Sequence, residues 1–155
     1  MKIQIVRVLL LLAICLTGTA GGDQLYVRNR PFKGFASGVS KNLGNIQVEL
    51  GPLAQLLGYQ VSEVEGNWVM HKTGEPAALP EGTTVTGKLF VQNKELAFSE
   101  ENGLKIVSLK DFSELVGGRL KHNSSLATVD FDIPAARDPL ASTAKYQLIH
   151  FGANW

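Results

Sequence analysis

Three histidines, His71, His122 and His150, have the side chains in this chain best suited to bind a transition metal or to move a proton near neutral pH. A zinc or copper site needs ligands at set spacings, and none of the three stands in an H-x-H or H-E-x-x-H pair. Met70 adjoins His71, but neighbouring residues on a strand point to opposite faces, so the two would not share one ion. In Gly34-Phe35-Ala36-Ser37-Gly38 the serine lies one position away from where a G-x-S-x-G nucleophile elbow has it, and the stretch reads as a flexible loop. Asp130 and Asp132 flank Phe131 and share one strand face, as an acid–base pair would; on a water-exposed edge strand they read as a solvated charged face. Glu100 and Glu101 precede Asn102-Gly103, a hairpin signal that turns both carboxylates to solvent. Asn123-Ser124-Ser125 has the form of a glycosylation acceptor. The inventory points away from an enzyme, with no metal and no cofactor expected.

The elements that must position these residues begin after a leader. Lys2 and Arg7 flank an apolar run over residues 8–16, followed by Gly18, Thr19 and Ala20, which is the pattern of a secretory signal peptide cleaved near Ala20. A transmembrane anchor needs about 20 apolar residues, and this run is roughly half that. LAIC around Cys15 also resembles a bacterial lipoprotein box, with Ile14 where that pattern has a small residue. Removing residues 1–20 takes away two of 15 basic and none of 14 acidic residues, so the formal charge moves from +1 to −1. That balance gives no electrostatic footprint for nucleic acid. No cysteine remains, and the chain length left is that of one domain with a core of its own.

That domain reads as a doubled unit. LYVRNRPF at residues 25–32 aligns with LFVQNKEL at residues 89–96, and VELGPLAQLLGYQV at 48–61 with VSLKDFSELVGGRL at 107–120. Pro52 fits the opening turn of the first helix, and Gly58 its left-handed stop. In the second, Ser108 and Asp111 have capping-box spacing and Gly117 is the stop. Leu53, Leu56 and Leu57, and Phe112, Leu115 and Val116, form one apolar stripe per helix. Helices this short are not stable alone, so strands must hold them. NWVMHK (67–72) and LATVDF (126–131) close the two copies, with Trp68 or Val69 as the first copy's inward residue, and turns at GNW and HNSS fit hairpins. The expected fold class is α+β: a twisted antiparallel sheet packed on two short helices, built from pseudo-repeats over about 25–72 and 89–131, within a domain spanning 21–133.

Two stretches fall outside the common pattern. The first copy is longer by a glycine-rich loop over residues 33–45, with Phe32 and Phe35 at its base. Aromatic rings beside a mobile polar loop can stack on sugars or grip a peptide; the plainer and favoured reading has both plugging the core. The tail 134–155, after the breaks at Pro134 and Pro139, carries Tyr146, Ile149, Phe151 and Trp155. It can dock on its own domain or add as a strand to a partner's sheet; its terminal alternation resembles the closing strand of an outer-membrane barrel, but the rest of the chain lacks the ten-residue dyad strands a barrel requires. Candidate partner-binding residues are therefore Phe32, Phe35, Tyr146, Phe151 and Trp155.

An apolar V-x-L lead into a helix, apolar residues along it, a glycine stop and a closing short strand resemble the copper amine oxidase N-terminal-like domain, or stalk domain, over about residues 25–131. That family enters the helix with a Val-Pro-Leu-Arg type of sequence; here the corresponding residues are Val48-Glu49-Leu50-Gly51 and Val107-Ser108-Leu109-Lys110. The resemblance implies a twisted antiparallel sheet around short helices, used as an accessory module of bacterial secreted or envelope proteins. It implies no catalysis, because copper and quinone belong to another domain of the enzymes. The expected function is a non-catalytic secreted, periplasmic or cell-surface module that binds another envelope protein or a cell-wall glycan, without nucleic acid and without a membrane span in the mature chain. The alternative is a metal-binding or hydrolytic envelope protein whose site is assembled from residues distant in sequence.

Overall fold

The computed structural model describes residues 22–134. The expected signal segment 1–20 with Cys15, and His150, Tyr146, Phe151 and Trp155 of the tail, lie outside the described residues.

Local chemistry sets the elements. The chain runs β1 (Gln24–Val27), β2 (Arg30–Pro31), β3 (Ala36–Ser37), a single 3-10 turn (Leu43–Asn45), β4 (Gln47–Glu49), α1 (Leu50–Leu57), β5 (Tyr59–Val64) and β6 (Asn67–Lys72). After a crossover it continues with β7 (Leu89–Val91), β8 (Lys94–Leu96), β9 (Phe98–Glu101), β10 (Leu104–Ser108), α2 (Leu109–Val116), β11 (Arg119–Asn123) and β12 (Thr128–Asp132). Four hairpins turn on two residues of positive φ: Arg28-Asn29, Glu65-Gly66, Gln92-Asn93 and Asn102-Gly103. These are type I′ turns, whose twist matches that of the flanking strands. The aligned segments 25–32 and 89–96 are thus tight hairpins.

Both helices start and stop as their residues dictate. Pro52 lies in the first turn of α1, and Gly58 follows in the left-handed region at φ 84°. In α2 the Ser108 hydroxyl accepts the Asp111 N–H at 3.2 Å, and Gly117 ends the helix at φ 69°. The buried faces are Leu50, Leu53, Ala54 and Leu57 in α1, and Leu109, Phe112, Ser113 and Val116 in α2. Leu56 and Leu115, placed in the stripes from sequence, are only half-buried at the core margin. The buried stripe begins one turn earlier, at Leu50 and Leu109.

The strands form three four-stranded sheets, ordered β11-β12-β1-β2, β3-β4-β10-β9 and β5-β6-β7-β8. The expected single antiparallel sheet is therefore replaced by a mixed α+β arrangement of mostly antiparallel sheets. Two pairs are parallel, β1 with β12 and β6 with β7. A parallel pair needs a long return of the chain, and residues 73–88 supply it between β6 and β7.

One core cluster draws on all three sheets and both helices. Helix α1 packs on β10 as well as on β1, β4 and β5, while α2 packs on the Leu43–Asn45 turn besides β8, β10 and β11. The Leu109 N–H, at the start of α2, donates to the Ile46 carbonyl at 2.9 Å. Phe112 meets Phe131 edge to face, with ring centroids 5.9 Å apart. Trp68 and Met70 face this cluster, whereas Val69 is buried on the other face of β6, in register with Phe90.

The stretch 33–45 is tied down along its length rather than looping freely. Ala36 and Ser37 pair with Val48 and Gln47. Phe35 gives its carbonyl to the Glu49 N–H at 2.8 Å, and its own N–H goes to the Glu49 carboxylate at 3.1 Å. Gly38 sits at φ 66°, where a Cβ would stand 2.4 Å from the Asn45 carbonyl oxygen, so both backbone and space require glycine there. Among the described residues no helix is long and apolar enough to cross a membrane.

Candidate functional site

Among the described residues, His71 and His122 serve two separate local arrangements. His71 Nδ1 lies 2.8 Å from the Glu75 carbonyl, which can only accept, so Nδ1 carries the proton. Nε2 lies 2.9 Å from the Ser62 hydroxyl. Serine against an oriented imidazole is nucleophile–base geometry, but the third partner here is a backbone carbonyl in place of a carboxylate. Neither Ser62 nor His71 lines the depressions described below. Sequence reasoning missed Ser62; it and His71 meet on one face of the β5–β6 hairpin, across a register that pairs Gln60 with His71.

His122 Nε2 donates to Asp23 Oδ2 at 2.6 Å, both side chains about one-fifth exposed. The contact fixes β11 to the residue preceding β1. Asp23→Asn or His122→Phe is expected to lower stability by about 1 kcal/mol, read as a shift in the urea midpoint, with the double variant losing less than the sum of the two.

Asp130 and Asp132 do not lie on an edge: β12 is interior, between β11 and β1. Asp130 stands opposite Lys121 and Asp132 opposite Arg119, so the two carboxylates face a basic strand. Among the described residues no group of three or more His, Cys, Asp or Glu is placed to hold a metal ion. The Asn102-Gly103 hairpin forms as expected, with Glu100 and Glu101 exposed. Asn123 Oδ1 accepts the Ser125 and Leu126 N–H groups at 3.1 and 3.2 Å, which shapes the β11–β12 loop.

The two phenylalanines of the expanded segment part company. Phe32 packs against the core, its ring and that of Pro52 closing on Gly34, where a Cβ would lie 2.8 Å and 2.7 Å from them. Phe35 is 44% exposed. Trp68 is half-buried beside a depression of about 190 Å³ lined also by Glu49, Val61 and Leu104. Its ring is already covered by Lys105, whose Nζ lies 3.3 Å from the ring centroid.

A larger groove of about 470 Å³ lies between β2 and α1. From β2 and just beyond it come Arg30, Pro31 and Lys33; from α1 come Pro52, Gln55 and Leu56, which helical spacing places on one outer face. A second depression of about 470 Å³ shares Arg30, Gln55 and Leu56, and adds Arg28, Leu57 and Gly58. Arg28 therefore lies near the C-terminal end of α1, where the helix carries partial negative charge. Arg30 lines both depressions and Lys33 the first, and among the described residues neither has a carboxylate within salt-bridge distance. The floor is apolar and the rim cationic. Sequence reasoning used Arg28 and Arg30 only to align the repeat and placed Lys33 in the glycine-rich loop; the fold brings all three beside α1.

Compared with protein-family models, with curated proteins and with solved structures, the chain matched none. What the fold and groove define is an α+β domain with a basic-rimmed apolar cleft beside its first helix.

Proposed function

We propose that this chain is a secreted or envelope-located, non-catalytic binding module of the copper amine oxidase N-terminal-like type, engaging another envelope protein or a cell-wall glycan. The observation that carries the binding reading is the β2–α1 groove, where two exposed cations without a carboxylate partner among the described residues rim an apolar floor. Like charges around an apolar surface suit a partner of opposite charge.

The doubled unit belongs to the same proposal. It is supported by an element order of four strands, a helix and two strands that occurs twice, in 24–72 and 89–132. Equivalent turns at Arg28-Asn29 and Gln92-Asn93, and equivalent glycine stops at Gly58 and Gly117, fit it as well. So do the sheets β11-β12-β1-β2 and β5-β6-β7-β8, which have the same order once the two units are exchanged, while β3-β4-β10-β9 maps on itself. Two half-domains sharing one twisted core is the reading these regularities favour.

A hydrolytic alternative rests on Ser62 and His71. The chain, immobilised and exposed to envelope extract and to purified peptidoglycan, is expected to retain one component saturably, and to retain it after truncation at Ile133. Hydrolysis of wall fragments with fluorophosphonate labelling of Ser62 would replace binding by catalysis. Retention lost on truncation would move recognition to the tail.

A further inference from the structure

We propose that the groove between β2 and α1 takes an extended acidic peptide segment, its carboxylates meeting Arg30 and Lys33 and its apolar side chains lying on Pro31, Pro52 and Leu56. The inference rests on the binding reading above and narrows its partner to a protein. Residues 22–134 carry 11 Lys and Arg against 13 Asp and Glu, a formal charge of −2. On a nearly balanced domain, the groove is lined by two cations and by no carboxylate. Three lysines meet carboxylates, Lys88 with Glu95 at 2.7 Å, Lys110 with Glu114 at 3.8 Å and Lys72 with Glu75 at 4.0 Å. Arg30 and Lys33 have none within salt-bridge distance among the described residues, and neither do Lys41, Lys94, Arg119 and Lys121; what sets Arg30 and Lys33 apart is the apolar floor they share.

The lining decides between peptide and glycan. Sugar rings are held by stacking on aromatic faces, and the groove contributes none; its floor is two prolines and a leucine, suited to aliphatic side chains. Gln55 adds an amide able both to donate to and to accept from a bound backbone. The bound chain does not extend the sheet. β2 is an edge strand of two residues, and Pro31 has no N–H to give, so the ladder cannot be continued there. Recognition thus falls to side chains, and charge sets much of its strength.

The test titrates the 15N-labelled chain with an acetylated peptide alternating Asp or Glu with Leu, with its Asn and Gln counterpart, and with chitotetraose. The acidic peptide is expected to shift amides within 28–33 and 52–58. Affinity should fall with added salt, and by about tenfold or more for the amide counterpart or for the Arg30→Glu/Lys33→Glu variant. An unchanged melting temperature checks that the variant is folded. Equal binding of the counterpart, shifts confined elsewhere, or groove shifts with chitotetraose would overturn the assignment. If the acidic peptide gives no shifts while the chain is still retained on its envelope component, the groove assignment fails and the binding reading stands. Absence of both overturns both.

Discussion

Phe112→Ala is expected to remove about 3–5 kcal/mol, in a domain whose whole stability is of the order of 5–15 kcal/mol. Phe112 is fully buried in α2 and meets Phe131 edge to face, and Phe131 lies on β12, between β11 and β1. The ring therefore joins the second helix to a sheet that contains the first strand of the chain. Truncation leaves a void that β12, paired on both sides, cannot close by moving. Phe131 is also hemmed in by Gly118, where a Cβ would stand 2.4 Å from its ring. Phe112→Leu, which fills part of the volume, should lose clearly less, and Leu115→Ala, at the half-buried margin, less again. Urea denaturation followed by both fluorescence and circular dichroism is the measurement. Because one cluster unites both helices, the variant should unfold in a single transition at a lower midpoint. A loss below about 1 kcal/mol, or two separate transitions, would mean that the core is not shared in the way described.

The helices were legible because their signals are local. Pro52, Gly58, Ser108 and Gly117 each act on a backbone group within a turn and behave as their chemistry requires, whereas the capping box forms only in half: Ser108 takes the Asp111 N–H, and the Asp111 carboxylate does not accept the Ser108 N–H in return. The Asn102-Gly103 hairpin was legible for the same reason. The hairpins at Arg28-Asn29 and Gln92-Asn93 were not, since each puts a long side chain at a position of positive φ that normally calls for Gly, Asn or Asp. Such residues are held there by the pairing of the strands on either side, which no local pattern reveals. Partner choice in the sheets was hidden for a related reason: β1 finds β12 from the far end of the domain, and alternation within a strand says which face is apolar but not which strand lies beside it.

The candidate site shows the same division. Its charges stand in plain view as Arg28, Arg30 and Lys33, but their meaning depends on the outer face of a helix about 20 positions later in the chain, at Pro52, Gln55 and Leu56. The aromatic signal drew attention instead to Phe32 and Phe35, of which one turns into the core margin. Exposure of Phe35 follows from its backbone, which is engaged with Glu49 and carries the ring outward. Tyr146, Phe151 and Trp155 lie outside the described residues. The parts that sequence exposes are therefore inventories; the grouping is set by long-range pairing.

Asn67 carries the last expectation, because it is the buried polar side chain on which the crossover depends. It is 1% exposed at the start of β6. Its Nδ2 donates to the Val85 carbonyl at 2.8 Å, and its Oδ1 accepts the Lys88 N–H at 3.0 Å. The backbone beside it completes the clasp, with the Trp68 N–H on the Lys88 carbonyl at 2.7 Å and the Gly87 N–H on the Gly66 carbonyl at 2.8 Å. The far end of the 73–88 crossover is thus delivered to β6 in the register that starts the parallel pair with β7. Asn67→Ala strands one donor and one acceptor, and is expected to lower stability by about 2–4 kcal/mol. Asn67→Asp should be worse than alanine near neutral pH, although it is nearly isosteric. The introduced carboxylate still accepts from Lys88 but faces the Val85 carbonyl with no proton to give, and a buried charge is left without a counter-ion. Lowering the pH to protonate that carboxylate restores a donor, so the gap between the Asn67→Asp variant and the wild-type chain should narrow in acid; the group binds more protons folded than unfolded, and its destabilisation grows as pH rises. Amide hydrogen exchange reads where the loss falls: protection of β7 should drop before that of β4 and β10. An Asn67→Asp chain as stable as wild type at neutral pH, or one whose exchange rises uniformly, would mean that the crossover is held by the backbone contacts alone.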